Sequence, residues 1–238
     1  MDTQDNTLII PLSRRDMASR IASDIEGGWY VNLGIGIPTL IADVLPADRE
    51  IVIHSENGVL GMGPAPAGEA IDPWLVNAGK GYVTLLPGGA FIHQADSFVV
   101  VRGGHLDLCV LGAFEVACNG DIANWATSLG KTAPAVGGAM DLAAGAKRLW
   151  VAMEHETRNG QSRLVERCNL PLTAKGVVDR IYTNLALIEI RETGFCVLEM
   201  VAGLTPESLQ DRTAAKLDFT SLRKDQPYGP ATSLGPKG

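Results

Sequence analysis

Positive charge is in deficit in this sequence: 20 Lys and Arg stand against 27 Asp and Glu, for a net charge of −7. That balance counts against nonspecific nucleic-acid binding, which needs a basic face. Long apolar runs are also lacking, and none reaches the roughly 18 residues of a membrane helix. The N-terminus, Met1-Asp2-Thr3-Gln4-Asp5, has neither the apolar stretch of a secretory signal nor the arginines of a transit peptide, so a cytoplasmic protein is expected. Cysteine is sparse: Cys109, Cys118, Cys168 and Cys196 are widely scattered and form no C-x-x-C pair. This speaks against a disulfide framework or a zinc site and predicts reduced thiols. Aromatics are few, at 5%, whereas glycine is abundant at 27 residues. Such a mix suits close packing of helix on sheet, with loops held near a ligand.

What is present is sufficient for a large core. With 238 residues, 46% of them hydrophobic, the chain reads as one folded unit over 1–238, its core spanning about 13–220. Residues 1–12 read as a loose or strand-like arm. Met17, Ala18, Ile21, Ala22 and Ile25 then recur at helical spacing, with Ser13 as N-cap and Asp16 three residues on. Strands are expected at 29–33, 50–54, 82–86, 106–111 and 149–153, and as a late pair at 185–190 and 195–201 around Glu192-Thr193-Gly194. Helices are expected from Pro38 to about residue 45, over 140–146, and after Thr205-Pro206. Residues 95–101 fit helix or strand equally. The Pro- and Gly-rich tail from Arg223 carries no packing pattern and reads as flexible. Alternating strands and helices define an α/β protein with an open, mostly parallel sheet flanked by helices.

Several cofactor motifs fail on inspection. Gly34-Ile35-Gly36 has the place of a dinucleotide fingerprint, but Thr39 stands where the third glycine belongs. Gly79-Lys80 and Gly130-Lys131-Thr132 would put the first P-loop glycine at Trp74 and Trp125, and Gly81 replaces the hydroxyl in the first case. No G-x-S-x-G elbow is present. His93, Asp96, His105 and Asp107 match no metal-ligand spacing, so no metal is expected.

One stretch carries chemistry of its own. Ser55-Glu56-Asn57-Gly58 follows the β-branched run Val52-Ile53 and precedes Gly61 and Gly63, so it reads as a buried strand ending in a tight Gly-rich loop. Ligands of open α/β sheets bind beyond the carboxyl ends of strands. Glu56 is therefore either a reactive carboxylate or a structural one that accepts backbone N–H groups.

Around it, Ser55-Glu56-Asn57-Gly58-Val59-Leu60-Gly61-Met62-Gly63-Pro64 resembles the active-site segment of the B subunit of the 3-oxoacid (family I) CoA-transferases. Asn32-Leu33-Gly34-Ile35-Gly36-Ile37-Pro38-Thr39, Asn77-Ala78-Gly79-Lys80, Arg102-Gly103-Gly104-His105-Leu106-Asp107, Gly120-Asp121-Ile122-Ala123-Asn124-Trp125 and Gly137-Gly138-Ala139-Met140-Asp141-Leu142 resemble family segments in the family's order, as does Pro171-Leu172-Thr173. The resemblance spans about Ser13 to Thr220. It implies a CoA-transferase-like fold and makes Glu56 the nucleophile that becomes a glutamyl-CoA thioester. CoA and acyl-CoA are then substrates, with no tightly bound cofactor, no ATP and no metal.

The same resemblance implies further roles, each beside a plainer alternative. Gly137-Gly138-Ala139 would be the active-site loop that donates to the oxyanion, or only a tight turn between strand and helix. Lys80 would contact CoA, or be a solvated surface lysine. Asn32, Gly34 and Gly36 would line the CoA crevice, or only set the turn. Trp125 is read as packing and Arg102 as a structural ion pair.

An A subunit of similar size is implied as partner, in an A2B2 heterotetramer with the site near the interface. The stretch Gly89-Ala90-Phe91-Ile92-His93-Gln94-Ala95-Asp96-Ser97-Phe98, with its histidine, and the loop Lys131-Thr132-Ala133-Pro134-Ala135-Val136 resemble the 3-oxoadipate branch. Gln94 departs from a second histidine often seen there, which keeps an acetoacetate-type acceptor as the alternative. An acyl-CoA hydrolase and a non-catalytic ligand-binding domain are the other classes in contention.

Overall fold

The computed structural model describes residues 9–68, 71–128, 135–223 and 228–230. Ser13 caps α1 (Arg14–Asp24) through a reciprocal box: its hydroxyl accepts from the Asp16 N–H, and the Asp16 carboxylate accepts from the Ser13 N–H, each at 3.2 Å. The helix buries Met17, Ala18, Ile21 and Ala22, the face its spacing predicts. Next come β1 (Tyr30–Leu33), a 3-10 helix (Ile37–Asp43) where Pro38 predicts a helix, β2 (Val52–Ser55), β3 (Val59–Met62) and β4 (Leu85–Phe91).

After α2 (Gln94–Arg102) and β5 (Leu108–Leu111) the chain forms β6 (Glu115–Ala117) and β7 (Ile122–Ala123). The remaining elements are α3 (Ala139–Gly145), β8 (Leu149–Ala152), β9 (Leu164–Val165), β10 (Arg180–Tyr182), β11 (Ala186–Arg191), β12 (Gly194–Met200), α4 (Pro206–Asp211) and β13 (Leu217–Asp218).

Ten strands form one sheet in the order β13-β12-β11-β10-β8-β5-β1-β2-β3-β4, and β7-β6-β9 form a smaller one. The five central strands, β10 to β2 in that order, are all parallel. On one side β11 pairs antiparallel with both its neighbours, and on the other β3 does, with β4 at the edge. Every residue of β5 and β8 is buried, as expected of parallel strands covered on both faces.

The structure departs from the sequence reading at three places and decides a fourth that the sequence left open. The Gly-rich stretch after Glu56 is strand β3 of a hairpin rather than a loop. Residues 95–101 are helical despite three consecutive valines, because the His93 ring caps α2 by accepting from the Ala95 N–H at 3.1 Å. The strand expected at 82–86 starts at Leu85 and runs on through Pro87, which only an edge strand such as β4 tolerates. Two described residues of the tail are anchored: Tyr228 is 2% exposed and donates its N–H to Met200, and Arg223 pairs with the buried Glu199 at 3.0 Å, while 224–227 and 231–238 lie outside the described residues. Of the arm, Leu12 donates its N–H to Asn184 and packs on the core, while residues 1–8 lie outside the described residues.

The β2–β3 turn depends on one glycine. Gly58 has φ +104, and a Cβ there would run into the Ile92 carbonyl, which belongs to backbone and cannot swing aside. Gly58→Ala is expected to destabilise the fold by about 2 kcal/mol or more, lowering the melting temperature by roughly 5 °C. Calorimetry that finds the variant as stable as the parent would remove this constraint.

Candidate active site

Glu56 sits at the carboxyl end of the last parallel strand, in the turn Glu56-Asn57-Gly58 that joins β2 to β3. Its neighbours turn their polar groups elsewhere. Ser55 Oγ accepts from the Ala78 N–H at 3.1 Å, and Asn57 Nδ2 donates to the Val76 carbonyl at 2.7 Å. Both bonds fasten the 76–81 turn beside Glu56. In that turn Lys80 is exposed and held at φ 65. Its N–H bonds the Asn77 carbonyl at 2.9 Å, and the Asn77 side chain accepts from Gly81.

Side chains alternate faces along a strand, so Glu56 leans toward the face that carries His54, where α2 and α3 lie. There its carboxylate meets the start of α3. A Cβ added to Gly138 would lie 2.6 Å from Glu56 Oε2 and 3.0 Å from the ring of Phe98 on α2. Behind them, Arg102 on α2 grips Asp141 on α3 through two hydrogen bonds of 2.8 and 3.0 Å, and its guanidinium lies 5.5 Å from the centre of the Phe98 ring. Burial, and then the charge of Asp141, push the Glu56 carboxyl above its ordinary pKa. Among the described residues no donor bonds that carboxylate, so the structural alternative, a carboxylate spent on backbone N–H groups, has no support here.

The other expected residues divide. Gly138 is the N-cap of α3 and Ala139 its first residue, with Gly137 at φ 62 before them, so this loop does reach Glu56. The Lys80 turn approaches as well: a Cβ on Gly79 would come within 3.3 Å of the Ile35 side chain, in the loop between Gly34 and Gly36. Gly34 closes on β5, its N–H bonding the Val110 carbonyl at 2.8 Å. Gly36 is the N-cap of the 3-10 helix, at φ 96.

Asn32 is different. It is 2% exposed, and its amide is committed to His54 at 3.0 Å. Arg102 forms the ion pair expected of it, and Trp125 packs with its indole N–H on the Leu172 carbonyl. His93 caps α2 while Asp107 binds Lys147 and the Tyr30 N–H. Residues 131–134, on which part of the branch assignment rests, lie outside the described residues.

Sequence reasoning gave no role to His54, Ser97, Phe98 or Asp141. The last three lie in segments quoted for their resemblance, and His54 stands on β2 two residues before Glu56.

The model of the coenzyme A transferase family matches residues 14–214. The chain belongs to that family. Among its relatives, the B subunit of 3-oxoadipate CoA-transferase from Acinetobacter baylyi is 53% identical over 206 residues, covering 87% of this chain and 95% of the relative. The protein of the same name from Pseudomonas putida is 54% identical over 211 residues, covering 89% and 99%. The B subunit of succinyl-CoA:3-ketoacid coenzyme A transferase from Helicobacter pylori is 43% identical over 205 residues, covering 86% and 98%.

The fold is that of solved family structures. An acyl-CoA transferase of Escherichia coli O157:H7 superposes with a TM-score of 0.68 at 19% identity, over 92% of this chain and 44% of that one. This chain thus spans about half of the E. coli protein. Glutaconate coenzyme A-transferase from Acidaminococcus fermentans gives 0.67 at 15% identity, over 90% and 89%.

The geometry of this candidate site has two testable consequences. Gly138 has φ −75, which any residue adopts, and the atom nearest an added Cβ is the tip of a flexible side chain. Gly138→Ala is therefore expected to leave stability within about 1 kcal/mol while displacing the carboxylate and cutting transferase activity at least about tenfold. Retained activity in a folded variant would show that the contact is idle.

The second concerns pH. With Glu56 as the attacking group, which must be ionised to react, the acid limb of the rate profile should fall above the ordinary Glu range of about 4.3. Asp141→Asn removes the neighbouring negative charge and frees the Arg102 cation, so it is expected to move that limb to lower pH. A limb that stays fixed or moves up contradicts the assignment.

Proposed function

We propose that this chain is the B subunit of a two-subunit CoA-transferase that moves CoA from succinyl-CoA to 3-oxoadipate, with Glu56 as the covalent carrier. The observation behind it is the half-buried carboxylate at the end of β2, without a donor among the described residues and set against the backbone of Gly138. A structural glutamate would have its oxygens satisfied.

The chemistry suits an unaided carboxylate. Glu56 attacks the thioester carbonyl of succinyl-CoA, the C–S bond breaks, and a succinyl-glutamyl anhydride forms with free CoA thiolate. The thiolate then attacks the glutamyl carbonyl and expels succinate, leaving a glutamyl-CoA thioester. A carboxylate of 3-oxoadipate attacks that thioester, giving a second anhydride and the thiolate once more. Attack of the thiolate on the 3-oxoadipyl carbonyl yields 3-oxoadipyl-CoA and restores the Glu56 carboxylate. Each acyl bond broken is replaced by one of comparable energy, so neither ATP nor a tightly bound cofactor enters the sequence.

Burial that raises the carboxyl's basicity makes its ionised form a better nucleophile. Each tetrahedral intermediate needs donors for its oxyanion. The amides of Gly138 and Ala139, which open α3 and lack acceptors within the helix, are suited to that role, with a further donor from the partner subunit. Lys80, on a turn fastened beside Glu56, suits a contact with CoA.

The relatives named for 3-oxoadipate are 53–54% identical, against 43% for one named for 3-ketoacid transfer, and this favours the dicarboxylic acceptor. An A subunit in an A2B2 assembly goes with the reading, as does a cytoplasmic location. Among the described residues no helix is long and apolar enough to cross a membrane.

The test is made on the complex with its A subunit. Incubation with succinyl-CoA followed by hydroxylamine is expected to modify Glu56, and Glu56→Ala to lose at least about a thousandfold in transfer. 3-Oxoadipate is expected to exceed acetoacetate as acceptor at least about tenfold in kcat/KM. Full activity in Glu56→Ala refutes the carrier, a preference for acetoacetate redirects the substrate, and turnover independent of any acceptor acid identifies a hydrolase.

A further inference from the structure

Beneath Glu56 lies a row of buried polar side chains on neighbouring strands. Asn32 on β1 is the register partner of both His54 on β2 and Cys109 on β5. His54, Cys109 and Ser97 of α2 are each 0% exposed. Polar groups are kept in such a place only if they satisfy one another.

The direction of every bond in the row can be deduced. The His54 carbonyl oxygen can only accept, so the Asn32 atom 3.2 Å from it is the Nδ2 donor. That same Nδ2 lies 3.0 Å from His54 Nδ1, which therefore accepts. The proton of the neutral ring is then on Nε2, which donates to Ser97 Oγ at 2.8 Å. At the other end Asn32 Oδ1 faces the Cys109 thiol at 3.7 Å. Burial holds the His54 pKa down at about 4, so the ring stays neutral and the pattern persists at physiological pH.

The row ends on α2, one residue before Phe98. Phe98 touches the space at Gly138, and Arg102, one turn on, holds Asp141 of α3. At its far end α3 is equally close, since a Cβ on Gly145 would strike the Val101 carbonyl. The sheet position of Glu56 and the helix position of Gly138 are thus linked by one chain of contacts: His54 to Ser97, then Phe98 and Arg102 to α3.

We propose that His54 is a positioning residue for the transfer reaction, its neutral ring linking β2 to α2 so that Gly138 is held against the Glu56 carboxylate. This rests on the reading of Glu56 as nucleophile. It is distinct from packing because the link needs an acceptor on one side of the side chain and a donor on the other. Glutamine supplies both, and leucine supplies neither.

The experiment measures hydroxylamine labelling of residue 56 after mixing the A–B complex with succinyl-CoA, over a range of donor concentrations. For His54→Leu the maximal labelling rate is expected to fall at least about tenfold while half-saturation stays within about twofold. His54→Gln is expected to recover to within about threefold of the parent, and Ser97→Ala, which removes only the far acceptor, to lose about threefold or more. Equal rates in His54→Leu and the parent overturn the inference, as does an equal loss in the Gln and Leu variants. Should His54→Leu fail to fold, Ser97→Ala decides, and a parental rate there overturns it. Glu56→Ala separates the two readings: persistent labelling of the complex defeats the nucleophile itself. If labelling is lost in Glu56→Ala but unchanged in the His54 and Ser97 variants, only the positioning role fails.

Discussion

Everything at this site depends on keeping one carboxylate half out of water with no bonded donor among the described residues. Desolvation penalises the ionised form of an acid, and hydrogen bonds from the protein would normally offset that cost. Here the residues best placed to do so, Ser55 and Asn57, are occupied with the 76–78 backbone instead. Asp141 adds negative charge nearby, and its own partner Arg102 turns its Nε and Nη2 donors to Asp141. The raised pKa of Glu56 is the trace of this arrangement. A carboxylate without a donor among the described residues keeps its oxygens open to a ligand.

The cost is met by surrounding structure that is unusually well tied. Glu56 does not sit in a flexible loop between a strand and a helix, where ligands of open sheets are usually met. It occupies a three-residue turn between two hydrogen-bonded strands, and Gly58 returns a bond to Ile92 at the head of α2. Precision of this kind is easier to keep on strands than on long loops. The change from parallel to antiparallel pairing at β2 is therefore more than an edge detail, because it turns the chain at Glu56 back into the ladder.

Much of this was legible in the sequence where the signal is local. Ser13 with Asp16, Thr205 with Pro206, and the buried runs of β5 and β8 each carry their own chemistry of capping or burial, and they form what they predict. The hairpin after Glu56 was not legible, because Gly61 and Gly63 suggest a loop until β4 arrives to pair with the segment. Nor was α2, whose valines favour a strand and whose cap is an uncommon histidine. The small sheet of β6, β7 and β9 escaped because two- and three-residue strands leave no period to read. At the site, Glu56 and the glycine loop were marked by residue type and order. Phe98 and Asp141 stood in matching segments without a role, since an aromatic and an acid on separate helices acquire meaning only when α2 packs on α3.

Asn32 shows how a correct suspicion can attach to the wrong contact. Its segment, Asn32-Leu33-Gly34, does end at the site, and Gly34 and the Ile35 loop lie beside the Lys80 turn. Yet a residue at the third position of a central parallel strand points into a covered face, where a side-chain amide must find partners on adjacent strands. The register decides which ones: His54 on one side and Cys109 on the other. A polar residue in an apolar strand is therefore as informative about its neighbours as about any ligand. Here it marks the floor on which the Glu56 carboxylate stands, and a floor made of directional bonds fixes position more sharply than an apolar one of the same volume.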